Sequence, residues 1–279
     1  VIREDGLVAE YYAADPATAS RGAVLVLGGS EGGLGGSRGI ARRLAAEGLD
    51  ALAVAYFGEP GLPAKLDLIP IEPVAGGLAW LQARPDGAEP IAVVGVSKGA
   101  ELALLTASRD DRIRAVAVGT PSSVVWQGID QTGGPTGASW TSAGEPVPYV
   151  PYDMSNGFRG IYQLYADSLA KAAPETEIPV ERIAGPILLV SASDDGLWPA
   201  ADMAARIQVR LTANAFAHPV ESLVYDGAGH AVFGPPIPAV TPQMQAMFGF
   251  LGGTPEGLTA ARAEAWPRVV AFLKTALAD

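Results

Sequence analysis

Residues 91–104 read IAVVGVSKGAELAL, and the fold turns on what flanks Ser97 in the middle of that stretch. Ile91 to Gly95 is an apolar run without alternation, the signature of a strand covered on both faces. From Lys98 onward the residues are good helix formers. A strand that ends in Gly-x-Ser-x-Gly and passes at once into a helix holds its serine on a strained turn with the hydroxyl at the helix N-terminus. Gly95 and Gly99 leave room for the close crossing of the strand and the helix.

A second stretch, GGSEG at residues 28–32, fits the same five-residue pattern. Gly32, Gly33, Gly35 and Gly36 crowd the residues after Ser30, so no helix is expected to follow it immediately. Ser97 is therefore expected to be the nucleophile. The glycine-rich loop is expected to supply an oxyanion-hole donor, Ser30 N–H, opposite Lys98 N–H, with a one-residue slip to Gly29 or Glu31 left open. A dinucleotide fingerprint fails there, because the sixth position counted from Gly33 is Arg38, and the sequence has no Gly-Lys-Ser or Gly-Lys-Thr phosphate loop. No cofactor is expected.

Outward from these motifs, short apolar runs alternate with longer amphipathic ones. Strands are expected at 23–27, 51–57, 91–95, 113–119, 187–192 and 220–225, with Val8 to Tyr12 as an antiparallel edge strand. Helices are expected after Ser37 as cap, around Ile71, Val74, Leu78 and Leu81, and over 98–108, 200–211 and 258–277. This is the pattern of an α/β protein with a mostly parallel central sheet and helices on both faces. One domain over 1–279 is expected. Residues 120–160, rich in Gly, Pro, Ser and Thr, fall where the alternation calls for a helix. Together with the amphipathic run 162–172 they read as a cap or lid insertion over 120–172, with Trp126, Trp140, Tyr149 and Tyr152 as material for a pocket wall.

Thirty acidic residues against 19 Lys and Arg give a net charge of −11, and the basic residues form no run. Nucleic-acid binding, which needs clustered cations, is not expected. The chain has no cysteine, which excludes disulfides, thiol catalysis and Cys-ligated zinc. Two histidines give no metal-ligand set of usual spacing. No apolar run approaches the roughly 18 residues needed to cross a bilayer. Residues 1–12 carry no charged leader followed by an apolar stretch.

A serine hydroxyl needs a base. His230, in the glycine-rich loop after strand 220–225, stands at the carboxyl end of the sheet, where sites of such sheets collect. His218 stands before that strand, at the other end, and reads as a surface or edge residue. An orienting carboxylate is expected after the preceding strand, where both Asp194 and Asp195 are available.

These stretches together resemble a known family. GVSKGAELAL, LGGSEGGL, LAVAYFGEPGLPAKLDLIPIE, PSSVVWQG, ASWTSAGEPVPYVP, IPVERIAGPILLVSASDDGLWP and GAGHAVFGPPIP are similar to the C-terminal catalytic domain of acyl-CoA thioesterases and bile-acid-CoA:amino-acid N-acyltransferases, an α/β-hydrolase related to dienelactone hydrolases. The resemblance implies Ser97 as nucleophile, His230 as base and Asp195, four residues before Pro199, as the acid. It implies a small-molecule acyl thioester substrate, and Gly29, Trp126, Trp140 and Trp198 are the expected substrate contacts. Lys98 and Glu101 read as a local support network beside the elbow. The N-acyltransferases use a cysteine nucleophile; the serine here points to hydrolysis, on a thioester first, with hydrolysis of an oxygen ester or lactone, or acyl transfer to an acceptor other than water, as the alternatives. Longer family members carry an N-terminal β-sandwich domain, whose contribution is expected to be missing here. A cytoplasmic location is expected for an acyl-CoA substrate, and a periplasmic or secreted one if an export signal was removed before Val1.

Overall fold

The computed structural model describes residues 1–15, 17, 22–84, 88–237 and 239–278, the side chain of residue 243 apart. In chain order the strands are β1 (Ile2–Glu4), β2 (Leu7–Tyr12), β3 (Ala23–Leu27), β4 (Asp50–Ala55), β5 (Ile69–Pro70), β6 (Ile91–Val96), β7 (Ile113–Gly119), β8 (Trp140–Ser142), β9 (Glu145–Pro146), β10 (Ile187–Ala192) and β11 (Val220–Tyr225). The helices are α1 (Gly35–Ala46), α2 (Glu72–Gln82), α3 (Lys98–Ala107), α4 (Ile161–Leu169), α5 (Ala200–Ala213), α6 (Pro242–Leu251) and α7 (Pro255–Ala276).

The main sheet runs β1-β2-β4-β3-β6-β7-β10-β11. The β1–β2 and β2–β4 pairings are antiparallel and the other five are parallel. From β3 the chain goes through α1 to β4 on one side, then crosses back to β6 on the other. The carboxyl ends of β3 and β6, paired at Leu27 and Gly95, therefore send their loops apart and open a crevice at the switch point. The GGSEG loop leaves one of these strand ends and Ser97 leaves the other.

Successive residues of a strand face opposite sides. Leu25 and Leu27 of β3 pack with Val93, Leu102 and Leu104 in one apolar layer, which α2, α3 and α5 cover. Val24 and Val26 pack with Val94, Leu44, Val269 and Leu273 in the other, which α1 and α7 cover. With both faces buried, the central strands read as unbroken apolar runs.

The expected strands and helices are present with small shifts. β4 ends at Ala55, so Tyr56 and Phe57 lie beyond it, and β6 runs on to Val96. Leu7–Tyr12 is antiparallel, but β1 pairs outside it and takes the edge. Ser37 is not the cap of α1. The helix starts at Gly35 behind Leu34, and Ser37 is buried in its first turn with its hydroxyl turned back to the Leu34 carbonyl. The turn packs against the GGSEG loop at Gly36, where a methyl group would lie 2.0 Å from Glu31 Oε1. Residues 120–160 are not structureless: β8 and β9 form a small sheet with β5. Helix α6 has no counterpart among the sequence expectations. Its apolar residues show little amphipathic bias, although Thr241 does cap it by accepting from Met244 N–H. Among the described residues no helix is long and apolar enough to cross a membrane.

Candidate active site

Ser97 sits between β6 and α3 with φ +56° and ψ −120°, a backbone conformation that L-residues rarely adopt. It is held there by its neighbours. A methyl group on Gly95 would lie 2.2 Å from the Gly99 carbonyl oxygen, and one on Gly99 would lie 2.1 Å from the Gly28 carbonyl oxygen. Ser97 N–H donates to the Gly119 carbonyl at the end of β7, 3.0 Å away. The hydroxyl is thereby presented at the N-terminus of α3, whose first-turn amides have no intrahelical acceptors.

His230 Nε2 lies 2.9 Å from Ser97 Oγ. On its other side Nδ1 lies 2.8 Å from Asp195 Oδ2 and 3.0 Å from Oδ1. Asp195 Oδ1 also accepts from Leu197 N–H and Trp198 N–H, which fixes the carboxylate. Both Asp195 and His230 are buried. Asp194 is turned away: its carboxylate accepts from Gly227 N–H and Ser193 Oγ–H and so ties the two loops together. His218 is exposed at the other end of the sheet, against Phe216. A hydroxyl, an imidazole and a buried carboxylate in one row can pass a proton from the first to the second while the third stabilises the charge that forms.

The loops carrying Asp195 and His230 are joined by a segment that sequence reasoning missed. At the end of α6, the Leu251 carbonyl accepts from both His230 N–H (2.7 Å) and Gly196 N–H (2.9 Å). Gly252 bridges to Asp195 as an isolated antiparallel pair. The backbones are in contact here, since a methyl group on Gly229 would lie 2.1 Å from the Gly252 carbonyl oxygen.

Across from the elbow, Tyr56 Oη–H donates to the carbonyls of Gly28 (2.7 Å) and Gly29 (3.0 Å). Burial pushes this phenol well above its ordinary pKa, so it stays neutral. Gly29 N–H is taken by Glu31 Oε1, 3.0 Å away, which counts against the slip to Gly29. Ser30 N–H makes no hydrogen bond among the described residues. The loop runs close to the nucleophile: a methyl group on Gly29 would lie 3.4 Å from Ser97 Cβ.

Lys98 borders the cavity, but its side chain is buried in the protein. Its Nζ donates to Glu101 Oε2 (2.6 Å) and Ser139 Oγ (2.7 Å), and both charged side chains are buried. Glu101 Oε1 accepts from Trp126 N–H and Trp140 Nε1–H. Burial pulls the Lys98 ammonium down and pushes the Glu101 carboxyl up, and each opposes the shift of the other. Trp126 and Trp140, expected as substrate contacts, are fully buried and lie outside the cavity wall. They seal this ion pair instead, which keeps water from a pair of charges that long-range packing has placed in the core. Tyr149 packs against the core as well.

A cavity of about 810 Å³ opens above Ser97. Gly29, Ser30 and Trp198 line it, as does Tyr152, whereas Phe233, Met247, Phe250 and Arg262 line it without having been singled out in the sequence. Trp198 stands edge-on to the His230 ring, with centroids 5.7 Å apart, and Tyr165 of α4 stands edge-on to Trp198 at 5.5 Å. Among the described residues no group of three or more His, Cys, Asp or Glu is placed to hold a metal ion.

The family described as "BAAT / Acyl-CoA thioester hydrolase C terminal" matches residues 69–279. The chain belongs to this family. Members with curated descriptions include mouse (Mus musculus) acyl-coenzyme A thioesterase 6, 30% identical over 260 residues, covering 90% of this chain and 59% of the relative. Human (Homo sapiens) acyl-coenzyme A thioesterase 1 is 26% identical over 239 residues, covering 82% of this chain and 54% of the relative. This BAAT C-terminal family chain thus spans somewhat more than half the length of those relatives. Among solved structures, the Pyrobaculum calidifontis esterase superposes with a TM-score of 0.60 at 18% identity, over 98% of this chain and 82% of the other. A dienelactone-hydrolase-like promiscuous phosphotriesterase from metagenomic libraries superposes with a TM-score of 0.54 at 14% identity, over 97% and 92%. The fold of this family member is the α/β-hydrolase fold.

Proposed function

We propose that this chain is a serine hydrolase that cleaves an acyl thioester of the acyl-CoA type through an acyl-enzyme on Ser97. The observation that carries the reading is the continuous row Ser97 Oγ, His230 Nε2, His230 Nδ1 and Asp195 Oδ2 on a strained elbow beneath a mostly apolar cavity. The names of the family and of its curated relatives support the thioester.

In the first half-reaction Ser97 Oγ attacks the thioester carbonyl as His230 Nε2 takes its proton. Asp195 holds Nδ1–H and stabilises the imidazolium. The oxyanion is received by Ser30 N–H and Lys98 N–H, the latter at the head of α3 where the helix dipole adds to the field. The C–S bond then breaks, and His230 returns the proton to the leaving thiolate. In the second half-reaction His230 deprotonates a water molecule that attacks the acyl carbonyl. The Ser97 ester bond breaks, and the proton passes back to Oγ. Residues 1–279 act as one hydrolase unit in this reading, and 120–172 form its cap, with Tyr152, Ile161 and Tyr165 over the acyl group.

A second reading is a carboxylesterase or lactone hydrolase with the same residues. It is favoured by the charge of −11, which opposes a polyanionic leaving group such as CoA. Parallel assays decide between the two: release of free thiol from acyl-CoA and release of p-nitrophenol from the matching ester. Turnover of acyl-CoA that disappears in Ser97→Ala supports the first reading. Turnover confined to the oxygen ester overturns it in favour of the second.

A further inference from the structure

Arg262, on α7, forms part of the cavity wall. Its Nε–H donates to the carbonyl of Ala231, the residue after His230, at 2.8 Å. Gly234 leaves the space that the guanidinium fills: a methyl group there would stand 3.3 Å from its central carbon and 3.4 and 3.5 Å from Nη1 and Nη2. Other half-buried arginines have partners. Arg112 lies on Asp110, Arg210 lies on Glu177 and Glu181, and Arg84 lies over the Tyr11 ring. Among the described residues no carboxylate pairs with Arg262, in a chain whose acidic residues outnumber its basic ones by 30 to 19. Glu31, the carboxylate that also lines the cavity, is bound to Gly29 N–H.

A half-buried cation without a counter-charge is costly, and stability alone gives little reason to keep it beside an apolar cavity. Burial lowers its pKa to about 10, so it remains a cation at neutral pH. With Nε engaged, its Nη groups remain to make the paired contact that guanidinium forms with carboxylate or phosphate oxygens.

We infer that Arg262 is a specificity-determining residue that receives an anionic oxygen group of the substrate, either a carboxylate on the acyl chain or a phosphate of the leaving group. The inference rests on the hydrolase reading for its reaction but not for its binding. The two sources are separated by two pairs of substrates given to the full chain. The first pair is the N-acetylcysteamine thioesters of glutarate and of its monomethyl ester, which differ only in the acyl carboxylate. The second is one neutral acyl group on CoA and on N-acetylcysteamine, which differ in the phosphates.

One of the two pairs is expected to show a preference for the anionic member on the order of 10- to 100-fold in kcat/KM, carried mainly by KM, as a charged hydrogen bond provides. Arg262→Met is expected to reduce that preference to about twofold or less, whereas a residue that merely held the His230 loop through Ala231 would slow all four substrates alike. Arg262→Gln replaces the methionine variant if the latter does not fold. No preference in either pair, or a preference unchanged in both variants, overturns the inference. If none of the four is turned over, the hydrolase reading fails by itself. Calorimetric binding of the same pairs to Ser97→Ala then decides on Arg262, again by the difference between anionic and neutral members.

Discussion

His230 Nε2 and Ser97 Oγ stand 2.9 Å apart across 133 residues of sequence. Nothing local makes that contact. It follows from the sheet order, which sets the ends of β6, β10 and β11 along one rim, and from the Leu251 carbonyl, which draws the His230 loop inward over the Asp195 loop.

Removal of any member of the row is expected to cost most of the activity. Ser97→Ala and His230→Ala should each lower kcat by about 10³-fold or more, while Asp195→Asn, which leaves the imidazole in the wrong tautomer, should do nearly the same with KM little changed. Steady-state kinetics with circular dichroism as a control for folding checks this.

The buried ion pair is expected to be strongly coupled. Lys98→Met leaves the Glu101 carboxylate in the core with only Trp126 N–H and Trp140 Nε1–H, and should destabilise by about 3–5 kcal/mol. Lys98→Met with Glu101→Leu should recover a substantial part of that loss. A double-mutant cycle from urea unfolding measures the coupling; additive losses would contradict the assignment.

Gly119 is expected to be intolerant of any side chain. A methyl group there would lie 2.1 Å from Phe233 Cβ, and Phe233 follows His230 by three residues in the same loop. Gly119→Ala should lower kcat by displacing His230 and cost about 1–3 kcal/mol of stability, as overpacking does. Kinetics and thermal unfolding read the two effects separately.

Acid should weaken the link between α5 and the segment before β10. Arg210 holds Glu181 through two bonds, and the hydrogen bonds from the guanidinium hold that carboxyl below its ordinary pKa. A depressed carboxyl stabilises the fold at pH values above its unfolded pKa, and the contribution disappears as pH falls through the folded value. Arg210→Met is therefore expected to cost about 0.5–1 kcal/mol at pH 7 and less than that near pH 3. Denaturant melts at the two pH values test the sign.

The elbow was legible because it is local: an unalternated apolar run, two glycines and a helix former sequence lie side by side at 91–104. The choice between Ser97 and Ser30 followed from the same neighbours. Asp195 and His230 were legible from their positions after their strands, although separating Asp195 from Asp194 needed the family spacing. What the sequence did not disclose depends on packing between distant segments. Trp126 and Trp140 look like pocket aromatics in a polar loop, yet they seal Lys98 and Glu101, because a buried ion pair in α3 recruits whatever donors the neighbouring segment carries. Leu251 acts through its backbone carbonyl, which leaves no trace in side-chain patterns. Arg262 is one of two arginines on α7, and nothing in the helix sequence marks it as the one that packs beside Gly234 and lines the cavity.

The most direct measurement of the account is the site of covalent trapping, read by peptide mass spectrometry after reaction with a fluorophosphonate or with a slowly deacylating thioester. A single adduct on the peptide holding Ser97 is expected, absent in Ser97→Ala and formed about 10³-fold more slowly in His230→Ala. An adduct on Ser30, or hydrolysis that persists at full rate in Ser97→Ala, would contradict it.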